Sequence, residues 1–269
     1  MLNEPPFERL AIVGVGLIGG SILQAAKQSW PSVGIAAIDV HDDLSKAAGA
    51  ELVILSAPIR RNIGLLPKLL SHLSPGAVVT DTGSTKRAIE AAAAAIPALT
   101  FIGGHPMAGA ARGGAANGRA DLFKGRPWIL TPRSDHPPSA VAGLEAFVTG
   151  LGAVPHVMTP DLHDRFVGAV SHLPQLTASA LMHVIGRLAG DAGLEIAGAG
   201  LLDTTRLATS PPDIWKDVAA TNEDVLRDAL DSLIRTLTDL RDTLDTGEAI
   251  DAVFTSACRW RSTLDRGQG

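Results

Sequence analysis

Leu10-Ala-Ile-Val13 runs directly into Gly14-Val-Gly16-Leu-Ile-Gly19-Gly20-Ser21, and a helical pattern follows through Gln28. A strand, a glycine turn and a helix in that order make the opening unit of a parallel sheet that binds a dinucleotide. Gly14 makes the tight turn, Gly16 admits a pyrophosphate close to the backbone, and Gly19 lets the helix pack on the strand. Leu17 and Ile18 open the helix, whose free N–H groups face the phosphates. A second strand, Val33 to Ile38, ends at Asp39, 20 residues past Gly19, where an acid binds the adenosine ribose hydroxyls. The alternative for Asp39 is a turn-starting aspartate. No arginine stands beside it to hold a 2′-phosphate, so the expected cofactor is NAD rather than NADP.

Only Val40 to Ala50 separate Asp39 from the next strand, Glu51 to Ala57. That is too short for the usual helix, strand and second helix, so one short helix near Asp43 to Ala48 is expected and the second strand falls near the sheet edge. Ser56 and Pro58, at the end of the third strand, complete the expected cofactor-binding set. Ile63 to Leu73 reads as an amphipathic helix, Ala77 to Thr80 as a strand, and Asp81-Thr-Gly-Ser84-Thr-Lys86 as the turn into an alanine-rich helix. Ser84 is therefore at the carboxyl end of a strand, where open α/β sheets bind ligands; a helix cap is its other reading. Lys86 reads as a first-turn solvent or phosphate contact.

Ala98 to Ile102 is a further strand, followed by Gly103-Gly-His105-Pro-Met-Ala-Gly109. This segment reads as a loop in which Gly103 and Gly104 turn the chain and Pro106 restricts His105 to extended conformations. His105 is either a catalytic base or an ordinary loop histidine. Phe123 to Leu130, with Trp128, reads as the last strand and Ser139 to Gly150 as the closing helix. A long helix from Pro160 runs past His172, with a kink expected at Pro174. Gly190 to Gly200 reads as a small-residue connection and Leu201 to Arg206 as a helix or turn. Apolar stripes from Val225 to Leu244 and from Ile250 to Leu264 have helical spacing, the usual mark of core.

The chain of 269 residues has a net charge of −5 and no lysine/arginine run, which argues against nucleic acid or an anionic membrane as partner. The N-terminus lacks signal-peptide features and no apolar run reaches the roughly 18 residues of a membrane span, so the expected location is the cytoplasm. With one cysteine, Cys258, no internal disulfide or cysteine zinc cluster forms; His163 and His172 lie off metal-ligand spacing, and no metal is expected. The absence of tyrosine excludes a phenolate base.

The glycine turn, Asp81 to Lys86, Gly104 to Gly109, Leu122 to Pro132, Ser171-His-Leu-Pro174, and Asp203-Thr-Thr-Arg206 with Trp215 stand in an order that resembles the prephenate and arogenate dehydrogenases. The resemblance implies a Rossmann-type α/β dinucleotide-binding domain over residues 1–157 and an all-α domain that dimerises over residues 158–269, hence a homodimer. It further implies NAD-dependent oxidative decarboxylation of prephenate or arogenate. His105 would contact the ring hydroxyl, Ser84 would assist it, and Arg206 would hold a substrate carboxylate. Read by itself, Arg206 is otherwise a surface residue and Trp215 otherwise a core aromatic. His172 would orient substrate or cap the carbonyl freed at the kink. Ala110 and Ala111 replace a threonine-glutamate pair frequent in the family and Gln175 takes the place of a second histidine found in some members, both where the substrate side chain would lie. The rival readings are a β-hydroxyacid dehydrogenase, which lacks its expected helix lysine here, and a non-catalytic NAD-binding regulator.

Overall fold

The computed structural model describes residues 4–39, 41–109 and 114–266. Its first part runs β1 (Arg9–Val13), α1 (Leu17–Ser29), β2 (Gly34–Ile38), β3 (Leu52–Leu55), α2 (Ile59–Leu69), β4 (Val78–Asp81), α3 (Arg87–Ala94) and β5 (Thr100–Pro106). Then come β6 (Pro127–Thr131), α4 (Pro138–Gly150) and β7 (Val154–Val157). The sheet order is β2-β1-β3-β4-β5-β6-β7. Strands β1 to β5 are parallel, β6 runs antiparallel to β5, and β7 is parallel to β6.

Alternation along the strands feeds two cores. Leu10, Ile12, Leu52 and Ile54 pack with Ile22, Trp30 and Phe147. Ala11, Val13, Val53 and Leu55 pack with Leu66, Leu69 and Ile89. Because helices cover both faces, these strands read as continuous apolar runs. Between β2 and β3 there is only a 3-10 turn, Leu44–Ala47, started by Asp43, whose carboxylate accepts the Ser45 N–H at 2.8 Å. β2 is accordingly an edge strand, as the short segment requires.

Several boundaries differ from the sequence expectation. α2 begins at Ile59 rather than Ile63, because the buried Asn62 ties its first turn to β3. The Asn62 Nδ2 donates to the carbonyls of Leu55 and Ala57 at 3.2 and 2.9 Å. β6 starts at Pro127, since Phe123 to Arg126 is a turn closed by the Arg126 N–H on the Phe123 carbonyl. β7 is an additional strand that Pro155 disguised; a proline is tolerated on a sheet edge, where its missing N–H breaks no ladder bond. His105 belongs to β5, opposite Ile129 of β6, and not to a loop. Gly103 and Gly104 do not turn the chain. They are strand residues that lack Cβ because there is no room for one: it would stand 2.4 Å from Thr131 Oγ1 at Gly103 and 2.6 Å from the Asp81 carbonyl at Gly104.

The chain continues through α5 (Pro160–Val167), a π segment (Gly168–His172), α6 (Leu173–Leu194), α7 (Ala199–Thr205), a 3-10 turn (Arg206–Thr209) and α8 (Pro212–Thr221). The irregularity expected at Pro174 lies before it, in the π segment. Pro174 itself stands in the first turn of α6, where no N–H is required of it. The expected connection starts at Gly190, whose φ of +59° interrupts α6. Residues 1–223 form one compact unit and 224–269 a second. The second contains most of α9 (Glu223–Asp242) and all of α10 (Glu248–Arg266). Among the described residues of these two helices only Leu226 is buried. Ile234, Leu237, Leu244, Phe254, Trp260 and Leu264 are exposed, so the stripes expected as core are largely open in a single chain. Among the described residues no helix is long and apolar enough to cross a membrane.

Candidate active site

The loops leaving the carboxyl ends of β1, β3, β4 and β5 meet at one cleft. Gly16, Leu17 and Ile18 line it beside Ser84 and Gly109, and Trp215 of α8 lines it as well. A second cleft holds Gly14, Asp39 and Asp42 together with Arg61 and Lys68 of α2, and shares Gly16, Ser56 and Pro58 with the first. Of the cofactor residues expected from sequence, all but Gly19 line this pair of clefts. Gly19 acts behind them: a Cβ there would stand 2.0 Å from the Gly14 carbonyl oxygen, so glycine is what lets α1 approach the turn. Gly14 has φ +98°, and a Cβ would meet the Ser56 carbonyl at 2.7 Å. At Gly16, the cap residue of α1, a Cβ would meet nothing within 4 Å. Open space over a helix N-terminus fits a dinucleotide pyrophosphate. Gly16→Ala is expected to leave the unfolding midpoint unchanged while weakening NAD binding at least about tenfold. Gly19→Ala is expected to lower both; parallel thermal melts and NAD titrations check this.

His105, in β5, is 8% exposed and is not among the residues that line either cleft. Its Nδ1 is 2.8 Å from His163 Nε2, and His163 Nδ1 is 2.7 Å from Asp164 Oδ1. The Asp164 carboxylate also accepts the backbone N–H groups of Lys86 and Arg87 at 2.7 and 3.0 Å. Thr159 caps α5 and Pro160 sets its first turn, which fixes where His163 and Asp164 project. Burial, then His163, then Lys86 and His172 hold the His105 pKa well below 6.5, so the ring is neutral at physiological pH. Lys86 is no solvent contact: it is fully buried and ion-paired with Asp81, because Gly83 and Gly103 leave space for its chain beneath β5. Asp81 also accepts the N–H groups of Gly83 and Gly104 at 2.8 and 3.0 Å. Glu90 Oε1 accepts the Gly103 N–H and the Thr131 hydroxyl, which holds β5 in register beside this charge pair.

Ser84 does not cap α3, whose cap is Lys86. His172 is 1% exposed and packs edge-on against Trp215 at 6.0 Å between ring centroids. Burial lowers its pKa to about 4, against the opposing pull of Asp164. It does not cap a carbonyl freed by Pro174. Its Nδ1 stands 3.4 Å from Asn222 Nδ2, and its Nε2 is buried with no protein partner. Ser84, His172 and Trp215 are thus brought together. Arg206 is not brought to the cleft wall; it is exposed, at the start of the 3-10 turn that leads to Ser210, a lining residue.

The family described as the nucleotide-binding domain of prephenate dehydrogenase matches residues 14–157, and the one described as its dimerization domain matches residues 159–254. The chain belongs to the prephenate dehydrogenase family. A prephenate dehydrogenase of Bacillus subtilis is 32% identical over 257 residues, covering 87% of this chain and 69% of that one. The fold is similar to that of the A. aeolicus prephenate dehydrogenase solved with hydroxyphenyl propionate and NAD+, with a TM-score of 0.86 and 26% identity over 95% of this chain and 98% of that one. It is also similar to Synechocystis arogenate dehydrogenase, with a TM-score of 0.78 and 28% identity over 97% and 99% of the two chains. The protein is an NAD-dependent oxidoreductase of this family with a Rossmann-type domain and a helical domain.

Family membership makes Gln175 informative. Its Nε2 donates to the Leu207 carbonyl at 2.7 Å and its Oε1 accepts the Ser210 hydroxyl at 3.0 Å. Gln175 therefore pins the turn that carries Arg206. Ala110 and Ala111 lie outside the described residues. Sequence reasoning missed Asp164, Asn222, Arg61 and Lys68, and considered His163 only as a metal ligand. The adjacent His163-Asp164 pair, four residues after a capping threonine, was the one available signal. Asn222 gave none; it is buried, donates to the Asp164 carbonyl at 2.9 Å and accepts from Arg87 at 2.8 Å.

Proposed function

We propose that this chain, as a cytoplasmic homodimer, oxidatively decarboxylates prephenate or arogenate to 4-hydroxyphenylpyruvate or tyrosine, with His105 as the base. The observation that carries this reading is the single cleft lined by Gly16, Leu17 and Ile18, by Ser84 and by Trp215, with the buried neutral His105 three residues before its lining residue Ala108. Gly14, Gly16, Leu17, Ile18, Asp39, Ser56 and Pro58 would hold NAD, with Gly19 supporting the turn. When bound, NAD accepts a hydride from the ring carbon that bears the hydroxyl. His105 takes the hydroxyl proton as the C=O forms, so positive charge does not build up on that oxygen. The carboxylate then leaves as carbon dioxide, its bonding pair enters the ring, and the proton held by His105 returns to the phenol oxygen.

Ser84 would hydrogen-bond the reacting hydroxyl, and His172 and Trp215 would wall the ring. Arg206 would reach a carboxylate from the turn that delivers Ser210, its fork giving a bidentate contact that lysine cannot reproduce. We place the domain boundary at residues 157 and 158, near the junction of the two family matches. Dimerisation is supported by the family's dimerization domain and by the exposed apolar residues of α10. Initial rates of NADH formation with prephenate and arogenate, each with NAD and NADP, test the reading. Turnover of one substrate with NAD is expected. Binding of NAD without turnover of either would favour the regulator.

A further inference from the structure

Asp164 has no proton to offer. Burial pushes its pKa up, but the His163 hydrogen bond and the Arg87 and Lys86 N–H groups outweigh this and hold it below the ordinary value. The hydrogen between Asp164 Oδ1 and His163 Nδ1 therefore sits on His163. Burial also lowers the His163 pKa, so this imidazole is neutral, and with Nδ1 protonated its Nε2 is a bare acceptor. The hydrogen of the next bond, 2.8 Å long, must come from His105 Nδ1. That leaves the lone pair of His105 on Nε2.

We propose that His163 and Asp164 are positioning residues that select the Nδ1–H tautomer of His105 and so make Nε2 the atom that receives the substrate hydroxyl proton. The proton's destination rests on the reaction proposed above; the tautomer does not. His105 is faced by Lys86 from the β4–α3 connection, by His163 from α5 and by His172 from the π segment, while Asp81 and Asp164 face His163. The Lys86 cation opposes a proton on His105. Relief comes through His163: as the substrate O–H bond breaks and Nε2–H forms, the Nδ1 hydrogen is shared toward His163 Nε2, whose ring is held by the Asp164 carboxylate. The hydrogen bonds of Asp164 to two backbone N–H groups keep that carboxylate in place. The arrangement separates two jobs. Desolvation and Lys86 keep the base unprotonated before reaction, and the His163–Asp164 pair lets it accept a proton during reaction.

The tautomer is read directly by nitrogen NMR of labelled imidazoles in the full chain, without ligand, with His105→Asn to assign the signals. A protonated Nδ1 and a bare Nε2 on His105 near neutral pH are expected. An Nε2–H tautomer overturns the proposal. In kinetics, His163→Phe removes the acceptor and is expected to lower kcat about 10²-fold, with the KM values for substrate and NAD within about twofold. The nitrogen signals of His105 in this variant should show a mixture of tautomers in place of Nδ1–H alone, which a structural role alone would not do. His163→Gln, whose carbonyl accepts from Nδ1–H, should keep the tautomer and recover much of the lost kcat. An unchanged kcat together with an unchanged Nδ1–H tautomer of His105 in His163→Phe overturns the proposal. If that variant does not fold, the His105 tautomer in His163→Gln decides in its place. A native chain that turns over neither substrate defeats the reaction reading, while the NMR still decides the tautomer.

Discussion

His105→Asn is expected to lower kcat by about 10²- to 10⁴-fold, the range that a positioned general base contributes, while NAD binding stays as in the native chain. Asparagine keeps a polar side chain of similar reach but cannot take up a proton. Burial, His163, Lys86 and His172 all depress the His105 pKa, in that order of size. A depressed base stays neutral, and therefore competent, to lower pH than a free histidine. Activity of the native chain should be flat around neutral pH and fall only as pH drops below 6.5, through the lowered His105 value. That limb should vanish in His105→Asn. A limb above 6.5 that survives the substitution would assign the base elsewhere.

The second large effect is on stability. Lys86→Met leaves the Asp81 carboxylate fully buried with only the Gly83 and Gly104 N–H groups, and should cost about 3–5 kcal/mol. The cost measures a charge left unpaired rather than the net worth of the pair. Asp81→Asn combined with Lys86→Met should therefore be much less damaging than the two single losses added together. Urea unfolding of the four forms checks it, and additivity within about 0.5 kcal/mol would show that the two side chains do not act as a pair. If Lys86→Met retains a folded fraction, its acid limb should move to higher pH, because the lysine charge that disfavours protonated His105 is gone.

The sequence by itself determined what short-range sterics decide. Gly14, Gly16 and Gly19 have distinct backbone duties within one turn; the structure makes those of Gly14 and Gly19 a geometric need and leaves open space at Gly16. The brevity of the segment after Asp39 left β2 no place but the edge, since chain length alone forbids another strand and helix there. The ordered motifs marked the family, and Ser84 and Trp215 do share a cleft.

Only the tertiary structure decided the rest, because it depends on who is buried beside whom. His105 and His163 are 58 residues apart, and nothing local in either says that their rings meet. Lys86 follows a turn just as a solvent-exposed lysine would; packing under β5 made it a buried cation and with that set the charge around the base. Gly103-Gly104 is as good a turn sequence as a strand sequence until Thr131, Glu90 and the Asp81 carbonyl occupy the places of the missing Cβ atoms. Local rules fix backbone conformation. The protonation state of a base is fixed by neighbours brought from distant parts of the chain, and the fold alone supplies those.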